Sequence, residues 1–117
     1  MIDLMKKSDN EILEIINPIM DNLMEGSTEI NHEKHTHDFT ERLKNVVKKS
    51  GFEIMSKGYQ SRWGIFQERT AVAVFRRENS VAVVWKQECS KTDDEYVAEA
   101  VFVKADGKYL VDHTWVY

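Results

Sequence analysis

Apolar residues in this chain keep two periods. Up to residue 64 they recur every three or four positions, the helical spacing; from residue 66 they alternate with polar ones, the strand spacing. Ser8-Asp9-Asn10-Glu11 reads as a capping box that starts a first helix, with Ile12, Ile15, Ile16, Ile19, Met20 and Leu23 on one stripe. Pro18 removes a helical hydrogen bond, so a kink or a delayed start is expected, and Gly26 is the expected stop. Residues 27–37 are polar and predict one or two helical turns. Asp38-Phe39-Thr40-Glu41 reads as a second capping box, with Asp38 as the cap, Phe39, Leu43, Val46 and Val47 as the stripe, and Gly51 as the end. Phe52, Met55, Tyr59 and Trp63 predict another helix, weakened by about 1 kcal/mol at Gly58 and closed by Gly64.

Strands are expected over residues 66–77, 80–89, 96–104 and 108–117. Glu78-Asn79 makes the first turn, residues 90–95 the second, and Ala105-Asp106-Gly107 the third; Asp-Gly between alternating runs is a strong hairpin signal. A meander that follows helices predicts an α+β fold, a curved antiparallel sheet wrapped around the N-terminal helices, with room for a further short strand.

Pairing symmetric about each turn assigns the two faces. One face takes Phe66, Glu68, Thr70, Val72, Val74 and Arg76, then Val81, Val83, Trp85, Gln87 and Cys89. From the last two strands it takes Tyr96, Ala98, Ala100, Phe102, Val111, His113, Trp115 and Tyr117. A slip of one residue would invert this. The face is largely apolar and should pack on the helices. Small Ala98 and Ala100 beside Trp85 and Trp115 predict a hollow, with Gln87 and His113 projecting into it. Tyr59, Trp63, Trp85, Gln87, Ala98, Ala100, His113 and Trp115 are the expected lining of a small-molecule pocket. The other face carries Ala73, Phe75, Ala82, Val84, Val101 and Leu110 among Lys86, Glu99 and Asp112, with Lys86 opposite Glu99. It is too apolar for open water and too charged for a core. A homodimer through this outer face, with twofold symmetry, is the expectation.

Composition narrows the classes. The 117 residues suit one domain over 1–117, and 42% hydrophobic with 31% charged residues predicts a globular chain. A net charge of −4 argues against nucleic acid as a partner. One cysteine, Cys89, permits no internal disulfide, which fits a reducing compartment. The N-terminal MIDLMKKSDNEILEII is too polar for a signal peptide, and no apolar run reaches membrane-spanning length. The expectation is therefore cytoplasmic, with no membrane partner. No Gly-rich phosphate loop, Walker motif or GxSxG elbow is present, and no cofactor is expected.

Each group with chemical potential has a plain structural use as well. His113 has the pKa range of a general base, or it is a core histidine bonded to Tyr59, Gln87 or a carbonyl. Tyr59 and Trp63 either line a pocket or fill a core. His32, His35 and His37 with Glu33 and Asp38 are the densest set of metal-ligand types, but without HExxH or a nearby cysteine a solvated turn is the reading, and no metal is expected. Cys89 reads as a buried structural thiol and Glu68 beside it as a strand-end acid. Arg62, Arg69, Arg76 and Arg77 could attract an acidic ligand that reached the pocket mouth; Arg76 falls on the concave face near the sheet end, and for the others surface solvation is the default reading.

Two segments carry a resemblance. Residues 22–40 (NLMEGSTEINHEKHTHDFT) and 100–117 (AVFVKADGKYLVDHTWVY) resemble stretches of the nuclear transport factor 2-like superfamily, also called SnoaL-like or cystatin-like α+β. The likeness implies a cone-shaped sheet with a pocket between its concave face and the helices. The superfamily includes ketosteroid isomerases, polyketide cyclases, limonene epoxide hydrolase and scytalone dehydratase, besides non-catalytic binding and association domains. His113 matches the strand histidine common near the family's C-terminus. The acids of the isomerase pocket are missing: Glu68 is the sole acid on the expected pocket face, three strands and roughly 14 Å from His113. The resulting expectation is a homodimeric domain binding a small apolar ligand. The alternatives are an isomerase, cyclase or dehydratase using His113 as acid or base, and a non-catalytic association module.

Overall fold

The computed structural model describes residues 4–117; Met1, Ile2 and Asp3, the start of the polar N-terminal segment, lie outside the described residues. After a single 3₁₀ turn at Leu4–Lys6 come four helices, α1 (Asp9–Thr28), α2 (His32–His35), α3 (Glu41–Val46) and α4 (Lys49–Trp63). Four strands follow, β1 (Phe66–Arg76), β2 (Ser80–Cys89), β3 (Thr92–Ala105) and β4 (Lys108–Val116), in one antiparallel sheet of order β1-β2-β3-β4. The fold is α+β.

Helix α1 begins where its capping box places it. The Glu11 amide donates to Ser8 Oγ at 3.1 Å and the Ser8 amide donates to Glu11 Oε1 at 2.9 Å. The helix runs unbroken past Pro18 and Gly26 to Thr28, so neither a delayed start nor a stop at Gly26 occurs. Gly26 serves packing instead. A Cβ there would lie 2.6 Å from the His35 Cα, so the missing side chain lets α2 press against α1. Ile12, Ile16, Met20 and Leu23 are buried against the concave sheet face, in one core cluster with Val81, Val83, Trp85, Ala98, Ala100 and Phe102.

The cap of α3 is Thr40, whose Oγ1 accepts from the Leu43 amide, and not Asp38. Residues 38–40 instead make an isolated parallel bridge to β4: Val111 donates to the Asp38 carbonyl at 2.7 Å, Thr40 donates to the Val111 carbonyl at 2.9 Å, and Phe39 pairs with Val111. Gly51 does not end a helix. Helix α3 stops at Val46, and Gly51 lies in the first turn of α4.

The strand faces differ from symmetric pairing in an instructive way. Along β2 and β3 the register is displaced by two residues: Trp85 faces Ala98 and Lys86 faces Val97, and the connection shrinks to Ser90-Lys91. A shift of two keeps every side chain on its expected face. The Lys86–Glu99 pair is lost. Lys86 bonds Glu95 at 2.8 Å, and Glu99 bonds His113 at 2.7 Å.

Register breaks in β1 and β4 do invert faces. In β1 the register breaks at Val72, between Ala71↔Trp85 and Ala73↔Val84, and again between Phe66 and Arg69. Arg69 therefore faces inward beside Gln87, while Glu68, Thr70 and Val72 are exposed; Phe66, and not Glu68, pairs with Cys89. In β4 the register breaks at Asp112, between Phe102↔Val111 and Val101↔His113. Beyond it Thr114 and Val116 share the inner face with Ala100 and Ala98, and His113 and Trp115 lie on the outer face. The extra residue is anchored. Asp112 Oδ1 accepts from Thr40 Oγ1 at 2.8 Å and from Arg42 Nε at 3.0 Å, and the Arg42 guanidinium also donates to the Asp112 carbonyl.

Candidate functional site

A cavity of about 570 Å³ lies along α4, between that helix, α3, the C-terminal end of α1 and the inner face of β4. Its size is ordinary for a small-molecule site. Its wall is mostly apolar, with Leu23, Met24, Leu43, Phe52, Trp63 and Val116 among its residues. The sequence pattern supplies the reason. Stripe residues of α3 and α4 face a sheet end whose inward residues after the Asp112 bulge are Thr114 and Val116, too small to fill the space.

Tyr59, Ser27 and Ser56 are the buried hydroxyls of this wall. The Tyr59 hydroxyl lies 2.8 Å from Ser27 Oγ, and Gln60 Nε2 donates to it at 3.4 Å while holding the Ser27 and Thr28 carbonyls at the end of α1. The Tyr59 ring stacks on Phe66 at 4.7 Å. Burial raises the phenol pKa more than these hydrogen bonds lower it, so Tyr59 stays a neutral hydroxyl. Trp63 leans on Tyr96 with ring centroids 4.5 Å apart.

The other expected lining residues fall in two groups. Trp85, Gln87, Ala98 and Ala100 are buried in the core and do not line the cavity. The hollow expected between alanines and tryptophans on the mid-sheet is closed by α1. Gln87 Nε2 donates to the carbonyls of Gln67, Glu68 and Glu88, the first two released by the irregular pairing of β1. The second group is His113 and Trp115. Both border the cavity through β4, but the register carries their side chains to the outer face, where Trp115 is 51% exposed. His113 Nε2 and Glu99 Oε2 stand 2.7 Å apart there, and neither Tyr59 nor Gln87 is a partner.

The three histidines near α2 do not converge. His32 Nε2 bonds the Val47 carbonyl and His35 Nδ1 the Leu23 carbonyl, each at 2.8 Å, while His37 meets Asp38 at 3.1 Å. His35 lies between Phe39 and Phe52 and borders the cavity; burial chiefly holds its pKa below the usual histidine value. Cys89 is buried, which pushes its thiol pKa up. Arg69 is paired with Asp21 at 2.7 Å and lies over the Trp85 ring, and Arg76 is paired with Asp9.

Sequence reasoning missed the α3 side of the wall (Leu43, Val46, Val47), and also Ser27, Ser56 and Val116. The helical stripe of α3 was visible, but nothing local says that it faces the end of β4.

No protein-family model matches the chain, and no curated protein matches its sequence. Solved structures do match. A designed NTF2 protein superposes with a TM-score of 0.66 at 12% identity, over 94% of this chain and 100% of that one. An NTF2-like protein of unknown function from Shewanella baltica gives 0.61 at 10% identity, over 96% and 97%. A protein from Thiobacillus denitrificans, described as a calcium/calmodulin-dependent protein kinase type II association domain, gives 0.62 at 10% identity, over 86% and 91%. The fold is nuclear transport factor 2-like. Helices first and a bent meander after them make the NTF2-like cone, and the cavity along α4 is where this chain leaves the cone unfilled.

Proposed function

We propose that this NTF2-like chain is a small-molecule-binding domain that acts as a homodimer. The observation that carries the binding reading is the cavity, with its apolar wall and its single buried hydroxyl pair, Tyr59 and Ser27. Such a site takes an apolar body and aligns it by one hydrogen bond. Tyr59 and Trp63 are the sequence-expected residues that remain in the ligand's path. A thermal-shift screen of apolar acids, ketones and aromatic polyketide-like compounds tests this. A saturable rise in midpoint is expected for a ligand of the native state. Met55→Trp, at a half-exposed lining position, should abolish that rise while leaving the unliganded midpoint within a few degrees. A shift that survives Met55→Trp would place the ligand elsewhere.

The dimer reading is supported by the outer sheet face, which no helix covers among the described residues. Phe75 and Trp115 are exposed there, around half-buried Ala73, Ala82, Val84, Val97 and Val101. The Thiobacillus denitrificans neighbour, described as an association domain, supports it by analogy. The same face favours the second reading, an association module. Ligand binding separates the two, because only the first depends on the cavity. A catalytic role for His113 would use Glu99 as the orienting carboxylate of a general base. It predicts turnover that His113→Ala removes without loss of stability.

A further inference from the structure

The cavity wall holds three permanent cations, Arg42, Lys48 and Arg62, and no carboxylate. An apolar concavity edged by one sign of charge concentrates its field on whatever enters.

The three cations differ in what already holds them. The Arg42 guanidinium is occupied by Asp112. Lys48 precedes α4 and Arg62 lies in its last turn, roughly 21 Å apart at the rise of a helix, so they cannot grip one small group together. Arg62 is the one suited to a clamp. Its guanidinium lies 5.6 Å from the Trp63 ring centroid and, among the described residues, has no carboxylate or carbonyl partner. The five N–H donors of that fork remain open, next to Tyr59 and Trp63.

The other end of the ligand is constrained by burial. One of the Tyr59 and Ser27 hydroxyls donates to the other, which leaves a single neutral O–H toward the cavity, and an ion beside them would have no counter-charge. A charged head must therefore sit at the rim, where water and a guanidinium solvate it, with its apolar body directed inward.

We propose that the cavity takes a small apolar carboxylic acid, with its carboxylate held by Arg62 at the rim and its body lying along Tyr59, Phe66, Phe52 and Leu43. This rests on the binding reading above and names its ligand class. The pairing is a charge-assisted, bidentate one, which discriminates an acid from the matching alcohol by about tenfold or more.

The probes are decanoate, decanol and decylamine, each kept below its aggregation threshold and titrated calorimetrically into the full chain near pH 8. Decanoate should bind at least tenfold more tightly than decanol, and decylamine should bind more weakly than either. Arg62→Gln should bring decanoate to within about threefold of decanol, both measured on the same folded variant. Arg62→Lys should restore part of the preference, because charge returns without the fork. Equal affinity for acid and alcohol, or an acid preference that survives Arg62→Gln, would overturn the carboxylate assignment and leave the cavity a neutral apolar site. Failure of all three probes to bind the folded protein would overturn the binding reading itself.

Discussion

At the scale of single residues, the glycine that joins helix to sheet has the least room of the chain's glycines. Gly64 has φ = 85°, and a Cβ there would stand 2.9 Å from the Lys91 amide nitrogen and closer still to Ser90 Oγ. The contact is a real junction. Ile65 donates to Ser90 Oγ at 2.9 Å, Ser90 donates back to the Ile65 carbonyl at 3.0 Å, and Lys91 donates to the Trp63 carbonyl at 2.9 Å. Gly64→Ala should destabilise the fold by about 2 kcal/mol or more, through left-handed strain and loss of this junction; urea unfolding measures it. His35 gives a second prediction. Burial holds its folded pKa below 6.5, despite the bond to Leu23, so below pH 6.5 the unfolded chain binds a proton that the folded one refuses. Stability contributed by neutral His35 is complete above that pH and falls as pH drops toward the folded pKa. The urea midpoint should decline between about pH 7 and 5, and His35→Gln should flatten that decline. The role of these residues was only partly legible. Gly64 was visible as a helix stop, but its contact with Ser90 joins positions far apart in sequence.

At the scale of elements, the bulge in β4 decides which residues face the cavity. Thr40 caps α3 and donates to Asp112, and the cap and the bulge are therefore one device. Burial alone would raise the Asp112 pKa, but the bonds from Thr40 and Arg42 outweigh it and hold the carboxyl below its usual range. Thr40→Val removes both hydrogen bonds at nearly constant volume. It should cost about 1 to 2 kcal/mol of stability and loosen residues 112–116, read as faster amide exchange in β4. The starts of β1, β2 and β4 and the Asp106-Gly107 turn, with both residues at positive φ, followed from local sequence, while β3 begins at Thr92, four residues before the expected start. The bulges did not. Val72 and Asp112 look like ordinary alternating positions; the first inverts β1 only as far as the second break near Phe66, and the second inverts the rest of β4.

At the scale of the whole molecule, the sheet has one face on the helices and one open. The open face groups Val84, Phe75 and Trp115 with the His113–Glu99 pair. Val84 is central, paired with Ala73 on one side and Glu99 on the other. If two copies join here, Val84→Glu buries charges near one another in the interface, and dissociation by tenfold or more is expected in sedimentation equilibrium. A dimer unchanged by Val84→Glu would remove the outer face from the interface. Among the described residues no helix is long and apolar enough to cross a membrane.

The sequence by itself determined the order of elements, the sheet topology and the helical stripes, because capping boxes, apolar period and Asp-Gly turns are local signals. It also put Tyr59 and Trp63 on one helical stripe with Phe52 and Met55, of which Phe52 and Tyr59 are buried, Trp63 is half-buried and Met55 is exposed. Tertiary structure decided the rest of the site. It closed the mid-sheet hollow by seating α1 on Ala98 and Ala100, and it turned His113 and Trp115 outward through one inserted residue. The open space lies instead between α4 and the end of β4. The physical reason is the period of two in a strand: one extra residue, held by a cap elsewhere in the chain, moves every later side chain to the opposite face.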